Sequence, residues 1–599
     1  MRLIVVHPRC LHASELNGLK WIYADADVEV KAAVESFMTS KHELITPREF
    51  QIFARSIREE LIDSIDSCIS CKNMNSWVLT PLHRNPFGNN VFLHLVWIAF
   101  LRVRMEEHAT LVVVTDSLGL FKTLNTIFTV EKSVTTMNFY WFYRTYVAVL
   151  FHMTIIGINE IRNILLRMVL SRMILTKKYI LHGVDSKVII DTYLYDSDIS
   201  ASGCYSSPYM PGLTDWFKSQ RIPVAILPTL YGVKLSGLID LYKRMVNSKN
   251  IFLPFERLIS WGDVFFGLSK VIYYLFIQND TEDCDIAGDS KDLIYYSRYQ
   301  SVVNGFQSLL FGVVPKRLLL LGYSPELLID WFENQSMDRS LAINMAEYFP
   351  LVKHIAFRPY IACEMHTNLY TTKRQHAYGI CPNETWVSGI AMVDILRCTD
   401  KDAIYKIMPA LRYQHLWDSI NQNVREPVDI KLLVLLPHSL SESMSILECI
   451  FDCGSDIHEY GIIEIKAHRN TPVTIIKELA NKRWDTFHNV KWTADAVSGL
   501  LKSSSLVITS GTSTALEAAC YGKLVVIVGQ KAGFSMNPMV GVDPRIWTEV
   551  YTSSELRSLL STWLLSPPLS FEERIEIGNE IRIKYFTPVN PDTMEGFRP

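Results

Sequence analysis

The stretch that decides the fold covers residues 500–538, LLKSSSLVITSGTSTALEAACYGKLVVIVGQKAGFSMNP. Its apolar run at 506–508 predicts a buried strand, and a turn of small hydroxyl residues then leads into a predicted helix over 515–521. A second apolar run, LVVIV, predicts the next strand. In a parallel α/β sheet this order directs backbone N–H groups and hydroxyls toward one point beyond the strand ends, where a phosphate binds well. The alternative is an ordinary Ser/Thr cap of the helix.

Length and composition indicate a globular chain of two or three domains. The chain has 599 residues, of which 49% are hydrophobic and 20% are charged. Its net charge of -3 argues against nucleic acid as the main partner. The 11 cysteines are an odd number scattered over the chain. They do not resemble a disulfide framework, which indicates a reducing cytoplasm.

Strand and helix signals alternate along the chain in the order that a parallel α/β sheet requires. A second α/β unit begins after Val424-Arg425-Glu426-Pro427, and a final long helix is predicted over 571–585. We therefore predict an α/β protein with two Rossmann-like domains that face a cleft, over residues 1–425 and 426–599. In the first domain, strands are predicted at 3–6, 77–80, 111–115, 188–192, 224–227, 318–321 and 354–357, and helices at 90–107, 213–220, 235–246 and 325–334.

Three successive loops of the second unit carry polar side chains just after predicted strands. The strands at 431–436, 462–466 and 506–509 belong to one parallel sheet, so the loops that follow them share one rim. Their convergence favours a nucleotide-phosphate site over isolated helix caps. The residues expected at this site are Glu442, Lys466, His468, Arg469, Ser510, Gly511, Thr512, Ser513 and Thr514.

Two of these blocks carry a family resemblance. KAHRNTP at 466–472 and SSLVITSGTSTALEAACYGKLVVIV at 504–528 resemble the nucleotide-binding half of GT-B glycosyltransferases. The likeness is greatest to bacterial surface-carbohydrate enzymes of the sialyltransferase and Kdo-transferase kind. Further blocks resemble bacterial O-antigen biosynthesis proteins: WVLTPLHRNPFGNNVFLHL at 77–95, KVIIDTYL at 187–194, PYIACEMHTNLYTTKRQHAYG at 359–379 and MPALRYQHL at 408–416.

The resemblance implies a GT-B-like fold and a glycosyl transfer. The donor would be a nucleotide sugar, such as a CMP-linked acidic sugar, and the acceptor a glycan or lipid-linked glycan of O-antigen or capsule. It implies that His468 and the turn at 510–514 hold the donor phosphate, and that Glu517 binds the ribose hydroxyls. The chain departs from the family pattern at Arg469, where proline is usual, and at Leu524, where Gly-Lys-Pro is expected.

Catalysis of this transfer needs a stabilised leaving phosphate and a base. No metal and no cofactor besides the nucleotide sugar are expected, because His468 and Arg469 can supply the positive charge. The triplets at 25–27 and 196–198 match Asp-x-Asp formally and are interpreted as loop or cap acids. The candidates for the base are Asp191, Glu364 and His83, each of which could instead be a capping residue at a strand end. His376 and Gly379 are assigned to an acceptor or donor loop.

A candidate membrane segment lies in an insertion at about 137–180. Residues 146–158 are mostly apolar but too short for a bilayer, which needs about 20 residues. A predicted basic helix over 161–178 follows. It could lie on an anionic membrane surface, which would make the protein cytoplasmic and peripheral to the inner membrane, or cover the core with its cations in solvent. Its cations are Arg162, Arg167, Arg172, Lys177 and Lys178.

Two rival functions remain open at this stage. A nucleotide-sugar epimerase uses the same two-domain fold and needs no acceptor. A non-catalytic scaffold of polysaccharide assembly would have no affinity for nucleotides.

Overall fold

The computed structural model describes residues 2–599 except 12–15, 17, 39–41, 70–73, 81, 83, 105–106, 108–109, 129–132, 138, 277–285, 287–289, 419–425, 427–429, 455–460, 470 and 481–487. Within this part of the chain the strands form three parallel sheets of four, seven and six strands. Parallel strands buried on both faces are expected to be continuously apolar, as the runs at 3–6 and 524–528 are.

The first unit contains β1 Arg2–Val6, β2 Lys20–Tyr23, α1 Val28–Phe37, α2 Pro47–Ser67, α3 Met74–Leu79, α4 Val91–Arg104, β3 Thr110–Val114, α5 Leu118–Phe128 and β4 Ser133–Met137. Its sheet has the order β2-β3-β1-β4. Two helices without strands, α6 Phe139–Ile174 and α7 Lys177–Leu181, lead to the second sheet. Leu3 and Val5 belong to the large hydrophobic cluster, whereas Ile4 and Val6 belong to a separate cluster, because successive residues of a strand point to opposite faces.

The second unit contains β5 Val188–Leu194, α8 Leu213–Ser219, β6 Val224–Leu230, α9 Leu238–Asn247, β7 Ile251–Phe252, α10 Phe255–Leu258, α11 Trp261–Phe276, α12 Lys291–Phe311, α13 Val314–Leu320, β8 Leu327–Trp331, α14 Ser336–Tyr348, β9 Lys353–Arg358, α15 Lys373–Ala377, β10 Glu384–Val387, α16 Ile390–Leu396, β11 Ile404–Ile407 and α17 His415–Asp418. Its sheet has the order β11-β10-β9-β8-β5-β6-β7. This is the Rossmann order with one added strand, and it reverses between β5 and β8.

The third unit contains β12 Lys431–Leu435, α18 Leu440–Phe451, β13 Ile462–Lys466, α19 Val473–Leu479, β14 Val490–Trp492, α20 Val497–Ser503, β15 Leu506–Thr509, α21 Thr514–Cys520, β16 Leu524–Val528, β17 Trp547–Val550, α22 Ser553–Leu565, α23 Phe571–Tyr585 and α24 Pro591–Met594. Its sheet order, β14-β13-β12-β15-β16-β17, is the Rossmann order and reverses between β12 and β15. The strand–turn–helix–strand arrangement predicted for 506–528 is confirmed.

The C-terminal helices connect the second and third units. A Cβ on Gly578 of α23 would lie 2.5 Å from the carbonyl oxygen of Ala519, so only glycine lets this helix approach α21 so closely. Beyond α23 the chain crosses to the second sheet. There Phe597 packs 5.5 Å from the ring of Trp386, between ring centroids. The predicted closing helix is present, and its end also reaches the second unit, where a Cβ on Gly389 would collide with the carbonyl oxygen of Lys584.

Three segments of the first predicted domain differ from expectation. Residues 77–80, predicted as a strand, overlap helix α3. Residues 318–321, also predicted as a strand, overlap the end of α13, which begins beside Pro315. The predicted helix at 325–334 instead contains β8. Short apolar runs do not distinguish buried strands from buried helices, and LLIDW is buried because β5 and β9 pair with it on either side.

Helix α6 is longer than the sequence analysis predicted. The apolar run at 146–158, which is too short by itself to span a membrane, and the basic run after it form one helix of 36 residues. Residues Tyr140–Ile174 are long and apolar enough to cross a membrane by length and composition, and 6% of the most apolar window is buried in the protein.

Candidate functional site

A cleft lies between the reversal points of the two Rossmann-like sheets. In open α/β sheets the ligand crevice forms at such a point, outside the carboxyl ends of the strands. In the third unit the loops after β12 and β15 meet there, and in the second unit those after β5 and β8. Two contacts cross the cleft. Arg469 Nη2 donates to the Tyr209 hydroxyl at 3.0 Å, and the Tyr231 hydroxyl lies 3.5 Å from His438 Nε2.

Two guanidinium groups flank one tyrosine of this cleft. Arg469 lies with its Cζ 4.1 Å from the ring centroid of Tyr195 and 5.6 Å from that of Tyr209. Arg412 approaches Tyr209 as well, at 5.9 Å. Arginine faces aromatic rings through its planar cation and can still donate its outer N–H groups to a phosphate. The predicted Arg469 is thus joined by Arg412, which the sequence analysis did not assign.

Two histidines extend this positive region. The rings of His438 and His468 meet edge to face, with centroids 5.4 Å apart. Burial, with the nearby positive charges of His438, Arg469 and Arg412, lowers the pKa of His468 to about 4. His468 is therefore neutral near pH 7 and can offer a phosphate an N–H group, while the charge comes from the two arginines.

The hydroxyl turn at 510–514 has a part that bonds inside the protein and a part that is partly exposed. Ser510 is buried, and both its hydroxyl and the Gly511 N–H bond to the carboxylate of Glu442. These two donors are engaged inside the protein. Thr512, Ser513 and Thr514 are partly exposed and remain at the rim.

Glu442 differs from its predicted companions. Burial raises its pKa to about 7, against the bonds from Ser510 and Gly511, which lower it. It also lines a cavity of about 90 Å³ together with Asn90 and Met536. A carboxylate in this place would repel a phosphate, so its contacts favour a role in holding the turn over a role in binding the anion.

The other predicted members of the site lie at its edges. Lys466 donates to the carbonyl oxygen of Ala494 at 3.3 Å and is directed toward the β14 side of the sheet. Glu517 is 8% exposed, and His415 Nε2 lies 3.0 Å from its carboxylate. His415 and Arg412 belong to the same segment between the second and third sheets. Their position depends on how this connection folds back, which the sequence pattern did not reveal.

The opposite wall of the cleft is aromatic and carries one acid. Tyr209 and Trp331 have ring centroids 4.5 Å apart, and Trp331 Nε1 donates to Glu333 at 2.9 Å. Burial raises the pKa of Glu333, and the carboxylate in turn helps burial to raise the pKa values of Tyr193 and Tyr231. Glu333 lies two residues beyond the carboxyl end of β8, at the reversal point of the sheet.

The three predicted bases have other surroundings. Asp191 lies within β5 and is 6% exposed. Burial and the carboxylates of Asp330 and Asp338 raise its pKa well above the ordinary range. Glu364 lies 3.7 Å from Arg55 of α2, and its carbonyl oxygen accepts from Arg58 at 3.2 Å. His83 lies outside the described residues. The roles expected of Asp191 and Glu364, as bases or as capping residues at strand ends, stay predictions.

The remaining predicted acids and loop residues act locally. Asp27 accepts the Val30 N–H as the cap of α1, and Asp198 accepts the Tyr195 N–H at 2.8 Å, which agrees with the cap interpretation for these two acids. Asp25 differs, because it is buried, lies 3.0 Å from His94 Nε2 and accepts from Thr115 Oγ1 at 2.7 Å. His376 Nδ1 lies 3.3 Å from Cys381 Sγ inside the second unit. Gly379 has a φ of 63° and ends the turn after α15.

Comparisons with known proteins give only distant likenesses. No family model and no curated protein matches the chain. Among solved structures, S. aureus MnaA in a co-structure with UDP has 11% identity and a TM-score of 0.38, with 68% of this chain and 94% of that chain covered. The glycosyltransferase SnogD from Streptomyces nogalater has 12% identity and a TM-score of 0.35, with coverages of 69% and 97%. UDP-GlcNAc 2-epimerase from Neisseria meningitidis, bound to UDP-GlcNAc, has 10% identity and a TM-score of 0.38, with coverages of 66% and 97%.

The fold is GT-B-like. This assignment rests on the chain's own topology, since such low similarities transfer no activity. Two sheets of Rossmann order face each other across a cleft, and the C-terminal helices cross from one to the other. The four-stranded sheet of the first unit is an addition to this arrangement.

Proposed function

We propose that the chain is an enzyme acting on a nucleotide sugar, and that it transfers the sugar to a hydroxyl of a bacterial surface glycan such as O-antigen or capsule. One observation carries the proposal. A continuous line of contacts runs from Arg469 to Tyr209, from Tyr209 to Trp331, and from Trp331 to Glu333. It joins a cationic rim, an aromatic surface and an acid across one cleft.

Each part of this line has a chemical task in glycosyl transfer. Arg469 neutralises the departing phosphate, Arg412 faces the second negative group of the donor, and His468 donates an N–H to the phosphate. Aromatic rings such as those of Tyr209 and Trp331 offer an apolar face to a sugar. Because fixed cations supply the positive charge, we infer a metal-independent reaction without a further cofactor.

Glu333 is the proposed base. It accepts the proton of the acceptor hydroxyl, whose oxygen then forms a bond to the anomeric carbon of the sugar. The bond between that carbon and the phosphate oxygen breaks, and the nucleotide leaves with the bonding electrons. A carboxylate whose pKa is raised by burial is a better base near neutral pH than an exposed one.

The donor that we propose is a CMP-linked acidic sugar, as the family resemblance implies. Such a donor has two negative centres, the phosphate and the sugar carboxylate, and the two guanidinium groups beside Tyr209 match them. A thermal-shift screen of CMP, UDP and GDP tests this step. We expect the largest rise in melting temperature with CMP. No rise with any nucleotide would refute the proposal and favour a scaffold.

A nucleotide-sugar epimerase would use the same fold and a carboxylate base. Incubation with UDP-N-acetylglucosamine in deuterated water, without acceptor, distinguishes the two reactions. An epimerase exchanges the proton at the carbon that it inverts and leaves the nucleotide attached. We expect neither exchange nor inversion.

A further inference from the structure

Helix α6 carries a long exposed apolar ridge. Its large exposed side chains recur every three or four residues, except between Ile158 and Leu166, where the exposed Arg162 takes the intermediate position. This spacing keeps them on one face of a helix. Phe151 is 69% exposed and Met173 is 73% exposed. Contiguous apolar surfaces of this extent on soluble proteins mark contacts with a partner or a membrane. The ridge consists of Tyr140, Tyr143, Val147, Phe151, Ile155, Ile158, Leu166, Val169 and Met173.

Helix α11 adds a second exposed apolar face beside the ridge. Phe265 is 70% exposed and Phe276 is 73% exposed. The two helices approach each other where α11 begins, and Met168 of α6 and Val264 of α11 are both part of the hydrophobic cluster of the second unit. Arg172 of α6 also lies over the ring of Trp261, at 5.8 Å, where α11 begins. The exposed large side chains of α11 are Trp261, Phe265, Phe266, Ile272, Tyr273 and Phe276.

Both ends of α6 are fastened to the globular body. Near its start, the buried Phe142 stacks on Phe121 of the first unit, with centroids 4.7 Å apart. Near its end, Met168 is buried in the second unit. These units are held together, since Leu293 N of α12 donates to Thr123 Oγ1 of α5 at 3.0 Å. A helix crossing a bilayer would separate its two ends, so α6 lies along a surface.

The charges around the ridge favour a negatively charged partner. Arg144, Arg162, Lys177 and Lys178 are exposed on or just after α6, whose one acid is Glu160. Two copies facing each other through this surface would oppose like charges, whereas an anionic lipid surface would attract them. Two arginines of the predicted basic helix bond to the protein itself instead of facing a membrane or solvent. Arg167 pairs with the buried Glu256, and Arg172 donates to the carbonyl oxygen of Ile259.

We propose that α6 and α11 together form the face with which this protein lies on an anionic membrane. Helix α6 runs parallel to the membrane plane, and the aromatic side chains of both helices enter the headgroup region. The exposed cations around them contact lipid phosphates. This inference does not depend on the reaction in the cleft, since binding to vesicles needs no substrate.

Flotation of the full chain with vesicles tests the proposal. We expect it to float with vesicles that contain phosphatidylglycerol and to float less with pure phosphatidylcholine. The double variant Phe265→Ser, Phe276→Ser removes two exposed rings and should weaken the partition coefficient roughly tenfold or more. The matched control is Leu351→Ser, Leu565→Ser, at positions 98% and 85% exposed elsewhere on the protein, which should float like the wild type.

Three outcomes would overturn the proposal. The first is that the wild type does not float with anionic vesicles. The second is equal loss of flotation in the phenylalanine double variant and its control. The third is a dimer in sedimentation without lipid that the phenylalanine double variant dissociates, since this would make a second copy the partner. Arg162→Glu should weaken flotation with anionic vesicles only, and circular dichroism checks that each variant is folded.

Discussion

Replacement of Arg469 by alanine is the most informative change at the cleft. The charge-assisted bonds that Arg469 would make to a donor phosphate are worth roughly 1.5–3 kcal/mol. In the free protein the side chain stacks on Tyr195 and bonds to Tyr209. Giving up the exposed bond to Tyr209, while the stack on Tyr195 is kept, costs about 0.5–1 kcal/mol. The net loss of binding free energy is therefore about 1–2 kcal/mol, which corresponds to a roughly 5- to 30-fold increase in Kd.

Calorimetric titration of CMP measures this change. Salt should weaken nucleotide binding by the wild type more than by Arg469→Ala, because an exposed charge pair is screened. The control is Arg545→Ala, since Arg545 is exposed in the same domain and pairs with Asp543 away from the cleft. Its Kd should equal that of the wild type. An unchanged Kd in Arg469→Ala would refute the assignment of the cationic rim.

Two further predictions concern the hydroxyl turn and its support. Burial raises the pKa of the Glu442 carboxyl to about 7 in the folded protein, so this carboxyl loses its proton at a lower pH in the unfolded chain. The free energy of unfolding therefore falls as the pH rises from about 5 to 7. Glu442→Gln should remove this fall. Its free energy of unfolding should nearly equal that of the wild type at pH 4.5 and exceed it by as much as about 3 kcal/mol at pH 8. Denaturant unfolding measures it, Glu572→Gln is the exposed control, and an unchanged pH slope would contradict the prediction. Gly511→Ala should lower the free energy of unfolding by about 1–3 kcal/mol, because the new Cβ would lie 2.6 Å from Met536 Cβ. Gly499→Ala, with no atom within 4 Å, should not destabilise the protein, and equal losses in the two variants would contradict the steric reason.

The third unit was predictable because local and tertiary signals agree there. Each strand is a short apolar run, each following loop is polar, and parallel connectivity then fixes which loops share a rim. His468, Arg469 and the partly exposed turn at 512–514 lie at that rim for this reason. The sequence could not show that Ser510 and Gly511 would be engaged by Glu442, because this depends on the packing of α18 against the turn.

The facing wall was harder to predict. Glu333 was missed because 325–334 has enough polar residues to suggest a helix, although its first half is a strand buried between two others. Arg412 lies in a connection whose direction is set by the assembled sheets. Asp191 was expected near the crevice, but its strand continues for three more residues and leaves its carboxyl inside the domain.

The full length of helix α6 could not be predicted from short windows of the sequence. The sequence separated an apolar run from a basic run, and the structure joins them in one helix that has a buried anchoring residue near each end. The contacts of α6 with neighbouring elements determine which of its cations face outward. Arg167 and Arg172 have partners on and beside α10, and Arg162 does not face that side.

The fate of the sugar–phosphate bond tests the proposed function most directly. A ³¹P NMR time course of CMP-linked, UDP-linked and GDP-linked sugars, with a lipid-linked glycan fraction as acceptor, follows this bond. We predict that the wild type converts a donor signal, expected to be that of the CMP-linked sugar, into free nucleotide. Glu333→Gln should be slower by about 100-fold or more, the usual effect of losing a general base, whereas the exposed control Glu347→Gln should match the wild type. Donor signals that stay unchanged, or nucleotide released equally fast by Glu333→Gln, would contradict the account.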